Sequence, residues 1–295
     1  MQLGIRLHDM QEMPIMERVQ TVKKQGFRCA HLALSKTIRE NSVRNSALTP
    51  GYAMHLKKIF SDAEIDVAVL GCYMNLATPN EDRLGEILKR YKTKVRFASA
   101  LGAGIVATQT GAPNEFFMYE SACHSQEAFH RFLKNLEIVV EYAEHTGVVI
   151  GIEPVYRHIV YNGQRAKEML DAIQSPNLQI ILNPVGLLDP SNYRNQVDIL
   201  KETIELIGED IAVIHLSDYK LTASGMRTIP AGSGEMNYEP LMQFMKKEKP
   251  YIQVILENTK PDQAVNTREM IQQLYESTQL PPIKEREFRR RFLYV

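Results

Sequence analysis

The stretch Val149–Glu153, VIGIE in one-letter code, is a short apolar run that ends on a carboxylate. Three later stretches have the same form, since each is apolar over several residues and ends on a side chain able to ligate a metal. Apolar runs of this length between helical patterns are typical of buried parallel strands. The four stretches, which end on Glu153, Asn183, His215 and Glu257, therefore predict strands with polar carboxyl ends.

The same alternation of strand and helix patterns continues along most of the 295 residues. Eight alternations without a low-complexity linker predict a single (β/α)8 TIM barrel, which takes about 250 residues plus insertions. A Rossmann-type open sheet is the alternative, but no strand leads into a Gly-x-Gly-x-x-Gly turn. The predicted strands are 3–7, 29–34, 67–72, 104–109, 148–153, 179–183, 211–216 and 252–257. The predicted helices are 14–25, 50–63, 81–101, 125–146, 163–174, 192–208, 237–247 and 264–277.

Several helix ends are also predicted. Ser125 is a plausible N-cap, and Gly26, Gly147 and Gly208 are expected to end helices in the left-handed conformation. The barrel is assigned to residues 1–280, with 35–49 as a long loop or lid. The basic and aromatic tail 281–295 is interpreted as an amphipathic extension that packs on the barrel or on a second subunit; a membrane or nucleic-acid arm is the alternative.

Composition limits the partners. Lys+Arg and Asp+Glu both number 35, so the net charge is zero. This balance argues against a general nucleic-acid or acidic-membrane surface. The three cysteines suggest neither disulfides nor a zinc cluster, and no signal peptide or membrane helix is evident. We therefore expect a cytoplasmic protein without nucleic-acid or membrane partners.

Closure of a barrel would bring the four strand-end residues to one mouth, where barrel enzymes place their chemistry. Taken singly, a strand-end Glu is more often paired with Arg or Lys, and a strand-end His is usually a hydrogen-bonded structural group. As a set, Glu153, Asn183, His215 and Glu257 predict a site for a divalent metal, Mn, Mg, Zn or Co. Glu153 and Glu257 are then the candidate catalytic acid–base pair, and no nucleotide cofactor is expected.

Further polar residues near strand ends are candidates for contact with a hydroxylated substrate, although loop hydrogen bonding would explain each of them. His31 shows no spacing that suggests ligation. The glycine-rich loop 232–234 is a weak phosphate cradle because no Lys-Ser/Thr follows it. The substrate-binding candidates are His8, Tyr73, Gln109, Arg157, His158, Asp218 and Lys220.

Five motifs resemble those of the sugar phosphate isomerase/epimerase family, the xylose-isomerase-like TIM barrels. They are GIEPVYRH at 151–158, ILNPV at 181–185, IHLSD at 214–218, PAGSG at 230–234 and LE at 256–257. The resemblance implies a metal held by Glu, Asp, His and Glu at strand ends, carried over to Glu153, the Asn183 position, His215 and Glu257. It implies a metal-dependent isomerase or epimerase of a small sugar or sugar phosphate, acting through an enediolate, and a possible homodimer.

Three residues depart from the family pattern. Asn183 stands where the family has Asp, Gln109 where many members have Glu, and Ser217 where Lys is common. A neutral amide adds no charge, so metal affinity should fall. Two alternatives stay open: a degenerate, non-catalytic barrel that binds a carbohydrate metabolite, and a metal-dependent endonuclease. The endonuclease would need more histidine and acidic ligands and a basic DNA-binding face.

Overall fold

The fold is a closed barrel of eight parallel strands in a computed structural model that describes residues 1–223 and 225–281. The strand order around the barrel is β1-β2-β3-β4-β5-β6-β7-β10, and β10 pairs with β1 to close it. β8 and β9 form a separate antiparallel hairpin. The strands are β1 Gln2–Arg6, β2 Cys29–Leu32, β3 Asp66–Gly71, β4 Ile105–Gln109, β5 Val149–Glu153, β6 Leu178–Leu182, β7 Ile211–Leu216, β8 Asp218–Thr222, β9 Gly225–Ile229 and β10 Gln253–Leu256.

Helices surround the barrel and bury one apolar face against it. In α5, for example, Phe129, Phe132, Leu136 and Val140 recur at helical spacing, and all four are buried. The helices are α1 Ile15–Lys24, α2 Leu34–Thr37, α3 Pro50–Asp62, α4 Glu81–Leu101, α5 Gln126–Glu144, α6 Gly163–Ile173, α7 Gln196–Ile207, α8 Glu239–Glu248 and α9 Ala264–Ser277.

The predicted helix ends are mostly confirmed. The Ser125 hydroxyl accepts a hydrogen bond from the Ala128 backbone N–H, and Gly26 and Gly147 have φ of 83° and 67°. The prediction for Gly208 is wrong, because its φ is −58° and the chain continues directly into a 3₁₀ turn. A turn that continues with the helical hand does not need the left-handed conformation.

The core has two layers. Most buried apolar residues fill the space between strands and helices, whereas a small cluster fills the inside of the barrel. Side chains inside the barrel are small or β-branched because the space there is narrow. This inner cluster consists of Cys29, Ala68, Val69, Ala107, Ile181, Val213 and Ile255.

The predicted TIM barrel is confirmed, and each of the eight predicted barrel strands and eight long helices is found within a few residues of its expected bounds. The short α2, which overlaps the start of the expected loop 35–49, and the hairpin β8–β9 were not predicted. The predicted tail lies outside the described residues from 282 onward. Within the part of the chain that the structure describes, no helix is long and apolar enough to cross a membrane.

Gly4 tests the packing between β1 and β2. A Cβ at Gly4 would meet the Cys29 carbonyl group, with the carbonyl carbon 2.7 Å away, and Gly4 is paired with Cys29 in the sheet. Because backbone must move, Gly4→Ala is expected to lower the free energy of unfolding by about 1–3 kcal/mol in urea denaturation. Gly85→Ala on α4 is the control, since a Cβ there meets nothing within 4 Å. It should raise the free energy of unfolding by about 0.5–1 kcal/mol. Equal effects of the two changes would contradict this packing.

Candidate active site

Three of the predicted site residues meet at the carboxyl-terminal mouth of the barrel. Glu153 is the last residue of β5, His215 is the second-last residue of β7, and Glu257 directly follows β10. The His215 Nδ1 atom lies 3.6 Å from Glu153 Oε1 and 3.5 Å from Glu257 Oε1. All three side chains are buried. Two carboxylates and one imidazole therefore face a common point.

Asn183, the fourth predicted residue, bridges the two carboxylates. Its Nδ2 donates to Glu153 Oε1 and to Glu257 Oε2, both at 3.1 Å. Its Oδ1 accepts from the Ser217 hydroxyl at 3.3 Å and the Gly186 backbone N–H at 3.4 Å. Rotating the amide would turn its NH₂ group toward the Gly186 N–H, which can only donate. The structure thus presents the nitrogen of Asn183 to the site, whereas a metal ligand must present the oxygen.

Two more donors contact the carboxylates. The Gln109 Nε2 atom donates to Glu153 Oε2 at 3.2 Å. The Arg6 guanidinium donates to Glu257 Oε1 at 3.2 Å and also binds Asp9 through two hydrogen bonds of 2.8 and 3.0 Å. The three residues that depart from the family pattern therefore all act on the carboxylate pair, directly or through Asn183. Gln109 and Asn183 act as neutral donors to acids, and Ser217 orients Asn183.

The surroundings push the pKa values of the two glutamates apart. Burial by itself would raise the pKa of Glu153, but the charge of His215 and hydrogen bonds from Asn183 and Gln109 outweigh it and lower the pKa. Burial also raises the pKa of Glu257, and this rise prevails over His215 and Arg6 because the Glu153 carboxylate adds to it. The two carboxyl groups therefore differ in proton affinity, since the pKa of Glu153 is lowered and the pKa of Glu257 is raised.

A divalent ion fits the mouth at the histidines. Within residues 1–223 and 225–281, neither ring nitrogen of His215 or His31 has a hydrogen-bond partner, although both side chains are buried. Buried polar atoms without partners are costly, so the unpaired nitrogens indicate a missing ligand. Ligand atoms of His31, His215 and Glu257 lie within 4.8 Å of one another. His31, His215 and Glu257 are therefore the residues whose ligand atoms converge closely enough to hold an ion, and Glu153 lies beside them, 3.6 Å from His215 Nδ1.

His31 and Arg6 were missed by the sequence reasoning. The His31 ring stacks on His215 with 5.3 Å between ring centres and on Tyr73 with 5.8 Å. His31 pairs with Arg6 in the barrel register, which places both near the mouth. For Arg6 the available signal was its position near the carboxyl end of the predicted strand 3–7. His31 was considered, but its spacing gave no sign of ligation.

The mouth opens into a cavity of about 1510 Å³. Of the predicted substrate contacts, the structure places His8, Tyr73, Gln109 and Arg157 on its wall. Burial lowers the pKa of His8 to about 3, with help from nearby cations that include Arg6 and Lys36. At neutral pH the His8 imidazole is therefore uncharged and can both donate to and accept from hydroxyl groups.

Three predicted contacts do not line this cavity. The Asp218 carboxylate accepts from the backbone N–H groups of Tyr219, Gly234 and Met236, so it fixes the loop around the glycine-rich segment. Lys220 is exposed on the hairpin. His158 is partly buried against Phe117, and burial lowers its pKa to about 4. The structure thus places the Asp218 carboxylate off the cavity wall, where three backbone N–H groups hold it, and its contact with substrate stays a prediction.

The family model for xylose isomerase-like TIM barrels matches residues 19–276. The chain belongs to this family. No curated protein matches the chain.

Several solved structures show the same fold. A D-tagatose 3-epimerase-like protein is 19% identical, with 94% of this chain and 97% of that chain covered and a TM-score of 0.74. An IOLI protein with a bound zinc atom is 16% identical, with 94% and 98% covered and a TM-score of 0.71. The 3-keto-D-glucoside 4-epimerase from E. coli is 15% identical, with 92% and 99% covered and a TM-score of 0.69. Identities this low show the fold.

Asn183 provides a test of metal binding. In Asn183→Asp a charged ligand replaces the bridging NH₂ group, so affinity for Mn²⁺ should rise roughly ten- to a hundredfold in calorimetric titration. Without metal the variant should have a lower Tm than the parent, since it has three neighbouring carboxylates and has lost two hydrogen bonds. Added Mn²⁺ should restore the Tm.

The control is Asn266→Asp, which makes the same charge change on an exposed face of α9. It should leave both quantities unchanged. Unaltered Mn²⁺ affinity in Asn183→Asp, or an equal gain in the control, would contradict the assigned metal site.

Proposed function

We propose that the protein is an isomerase or epimerase of a small sugar or sugar phosphate, and that it moves a proton next to a carbonyl group. The observation that carries the proposal is the pair of buried carboxylates, Glu153 and Glu257, which share the amide of Asn183 and face the same nitrogen of His215. The epimerase names of two structural neighbours point to the same class of chemistry.

The two glutamates have different roles in this proposal. Glu153, whose pKa is lowered, is the base that takes the carbon-bound proton. Glu257, whose pKa is raised, is the acid that supplies a proton. A proton returned to the opposite face of the same carbon gives epimerisation. A proton returned to the neighbouring carbon through an enediolate gives aldose–ketose isomerisation.

Other residues hold the reacting groups in place. Asn183 keeps the two carboxyl groups at a constant separation, and Ser217 and the Gly186 N–H fix the orientation of its amide. Arg6 anchors Glu257 and is itself anchored by Asp9. His8 and Tyr73 on the cavity wall are suited to bind substrate hydroxyl groups.

The proposal includes a divalent ion held by Glu153, His215 and Glu257. When bound, such an ion polarises carbonyl and hydroxyl oxygens as a Lewis acid. Support comes from the buried ring nitrogens of His31, which have no hydrogen-bond partner among the described residues, and from the zinc atom in the neighbouring IOLI structure. Mn, Mg, Zn and Co all suit oxygen and nitrogen ligands.

A non-catalytic barrel that binds a carbohydrate metabolite is the second candidate. The observation in its favour is that Arg6, Asn183 and Gln109 already donate hydrogen bonds to the carboxylates. These protein donors occupy carboxylate oxygens of Glu153 and Glu257 that a catalytic site would leave available to the substrate. The two candidates differ in one measurable property, the exchange of a carbon-bound proton with solvent.

Exchange in D₂O with Mn²⁺ distinguishes the candidates. We expect that at least one member of a panel of ketoses and their phosphate esters gains deuterium at the carbon next to the carbonyl. NMR or mass spectrometry measures this gain. Glu153→Gln and Glu257→Gln should each slow this exchange by about 10²–10⁴-fold, since general acid–base catalysis contributes that much.

The matched control is Glu205→Gln on an exposed position of α7, which should exchange at the parent rate. Saturable binding of a sugar without any exchange would support the non-catalytic barrel. Equal rates in the parent and Glu153→Gln would show that the carboxylate pair does not carry the reaction.

A further inference from the structure

The cavity at the mouth has one strongly basic wall. Six cationic side chains line it, and Glu86 is the only acid beside them on α4. The chain as a whole has zero net charge, so this concentration of positive charge is local. The six residues are Lys36, Arg44, Lys89, Arg90, Lys94 and Arg96.

The wall is built by two facing elements. On α4 the lining residues Lys89, Arg90, Thr93 and Lys94 recur at the spacing of one helix face. The segment 43–46, which contains Arg44, lines the same cavity from the β2–α3 connection. Charges on both sides of a concave surface reinforce one another at its centre.

The cations of the wall lack acidic partners. None of the six forms an ion pair with a residue in 1–223 or 225–281. Lys94 is half-buried and donates only to a backbone carbonyl, that of Gly71, at 3.0 Å. Burial lowers the pKa of Lys94, and nearby Arg90 lowers it further while Cys72 opposes this. Cations gathered without partners beside a cavity favour an anionic ligand.

The wall is connected to the carboxylate pair. Gly71, which Lys94 contacts, lies against His31, since a Cβ at Gly71 would be 2.7 Å from His31 Nε2. His31 in turn stacks on His215 with 5.3 Å between ring centres. The cavity volume of about 1510 Å³ exceeds the roughly 300–1,000 Å³ of ordinary ligand pockets. There is space for a substrate that carries a group beyond its reacting carbons.

We propose that the basic wall binds an anionic group of the substrate, of the phosphate monoester class, while the reacting carbon lies between Glu153 and Glu257. The inference that the rest of this substrate is a small sugar rests on the proposed function. The orientation follows from the lining of the cavity, because cations without an acidic partner lie on the wall, whereas Arg6 at the carboxylate pair already binds Glu257 and Asp9. Arginine and lysine on this wall supply the charge-assisted hydrogen bonds that phosphate oxygens accept.

Nucleic acid is the other polyanion that a basic surface could bind. The wall favours a small ligand because its residues line a cavity, and because the chain lacks the excess of positive charge typical of nucleic-acid-binding domains.

Calorimetric titration of the full chain with inorganic phosphate at low ionic strength tests the proposal. We expect saturable binding at one site, weakened about tenfold or more in the double variant Lys89→Gln/Arg90→Gln, which removes two charges from the wall. The control is Arg83→Gln/Lys92→Gln, which removes two charges from exposed positions of the same helix that do not line the cavity. It should bind phosphate within about twofold of the parent.

Further measurements separate this proposal from the proposed function. Glu153→Gln should keep phosphate binding, because its carboxylate does not belong to the wall. If phosphate binds in the expected pattern but no sugar exchanges a proton, the anion site is supported and the proposed isomerase activity is contradicted. If neutral ketoses exchange a carbon-bound proton with solvent but phosphate does not bind, the anion site is contradicted and the proposed isomerase activity is supported. Binding of a DNA duplex through Lys89 and Arg90 without binding of inorganic phosphate would also overturn the proposal.

Discussion

Two buried carboxyl groups, those of Glu153 and Glu257, are held against the same amide nitrogen of Asn183 at 3.1 Å each. Buried like charges repel strongly, and a buried charge left without compensation typically costs about 3–5 kcal/mol. The barrel mouth must therefore supply positive charge or hydrogen-bond donors around this pair. His215, Arg6 and Gln109 supply them together with Asn183. Compensation of the two carboxyl groups by protein donors is the constraint on everything else at the site, and the proposed ion would have to compete with those donors for the same oxygens.

The fold provides that compensation by bringing together residues that are far apart in sequence. Arg6 and Glu257 meet because β10 pairs with β1 to close the barrel. Asp218 holds the backbone around Gly234 and Met236. Rigid strands fix the carboxylates, while the cavity wall beyond them is formed by α4 and a connecting segment. A shared scaffold with variable walls is how barrel enzymes change substrate without changing fold.

Most of the fold could be predicted from the sequence because buried parallel strands and amphipathic helices leave strong periodic patterns. The convergence of Glu153, His215 and Glu257 followed from their places at strand ends. The orientation of Asn183 could not be predicted, since it depends on the Gly186 N–H and the Ser217 hydroxyl, which become neighbours only in the folded chain. His31 was overlooked because a histidine in the middle of a short strand resembles a structural core residue until its unpaired nitrogens are seen. The hairpin β8–β9 was missed because its exposed residues lack an apolar pattern.

The central claim is that Glu153, His215 and Glu257 form one centre that accepts a divalent ion despite the amide of Asn183. Anomalous diffraction from crystals soaked in Mn²⁺ measures this directly, because it locates the ion independently of the protein atoms. We expect one anomalous peak within bonding distance of both carboxylates and of the His215 ring. A mouth without a peak, with the Asn183 nitrogen still hydrogen-bonded to both acids at saturating Mn²⁺, would contradict it.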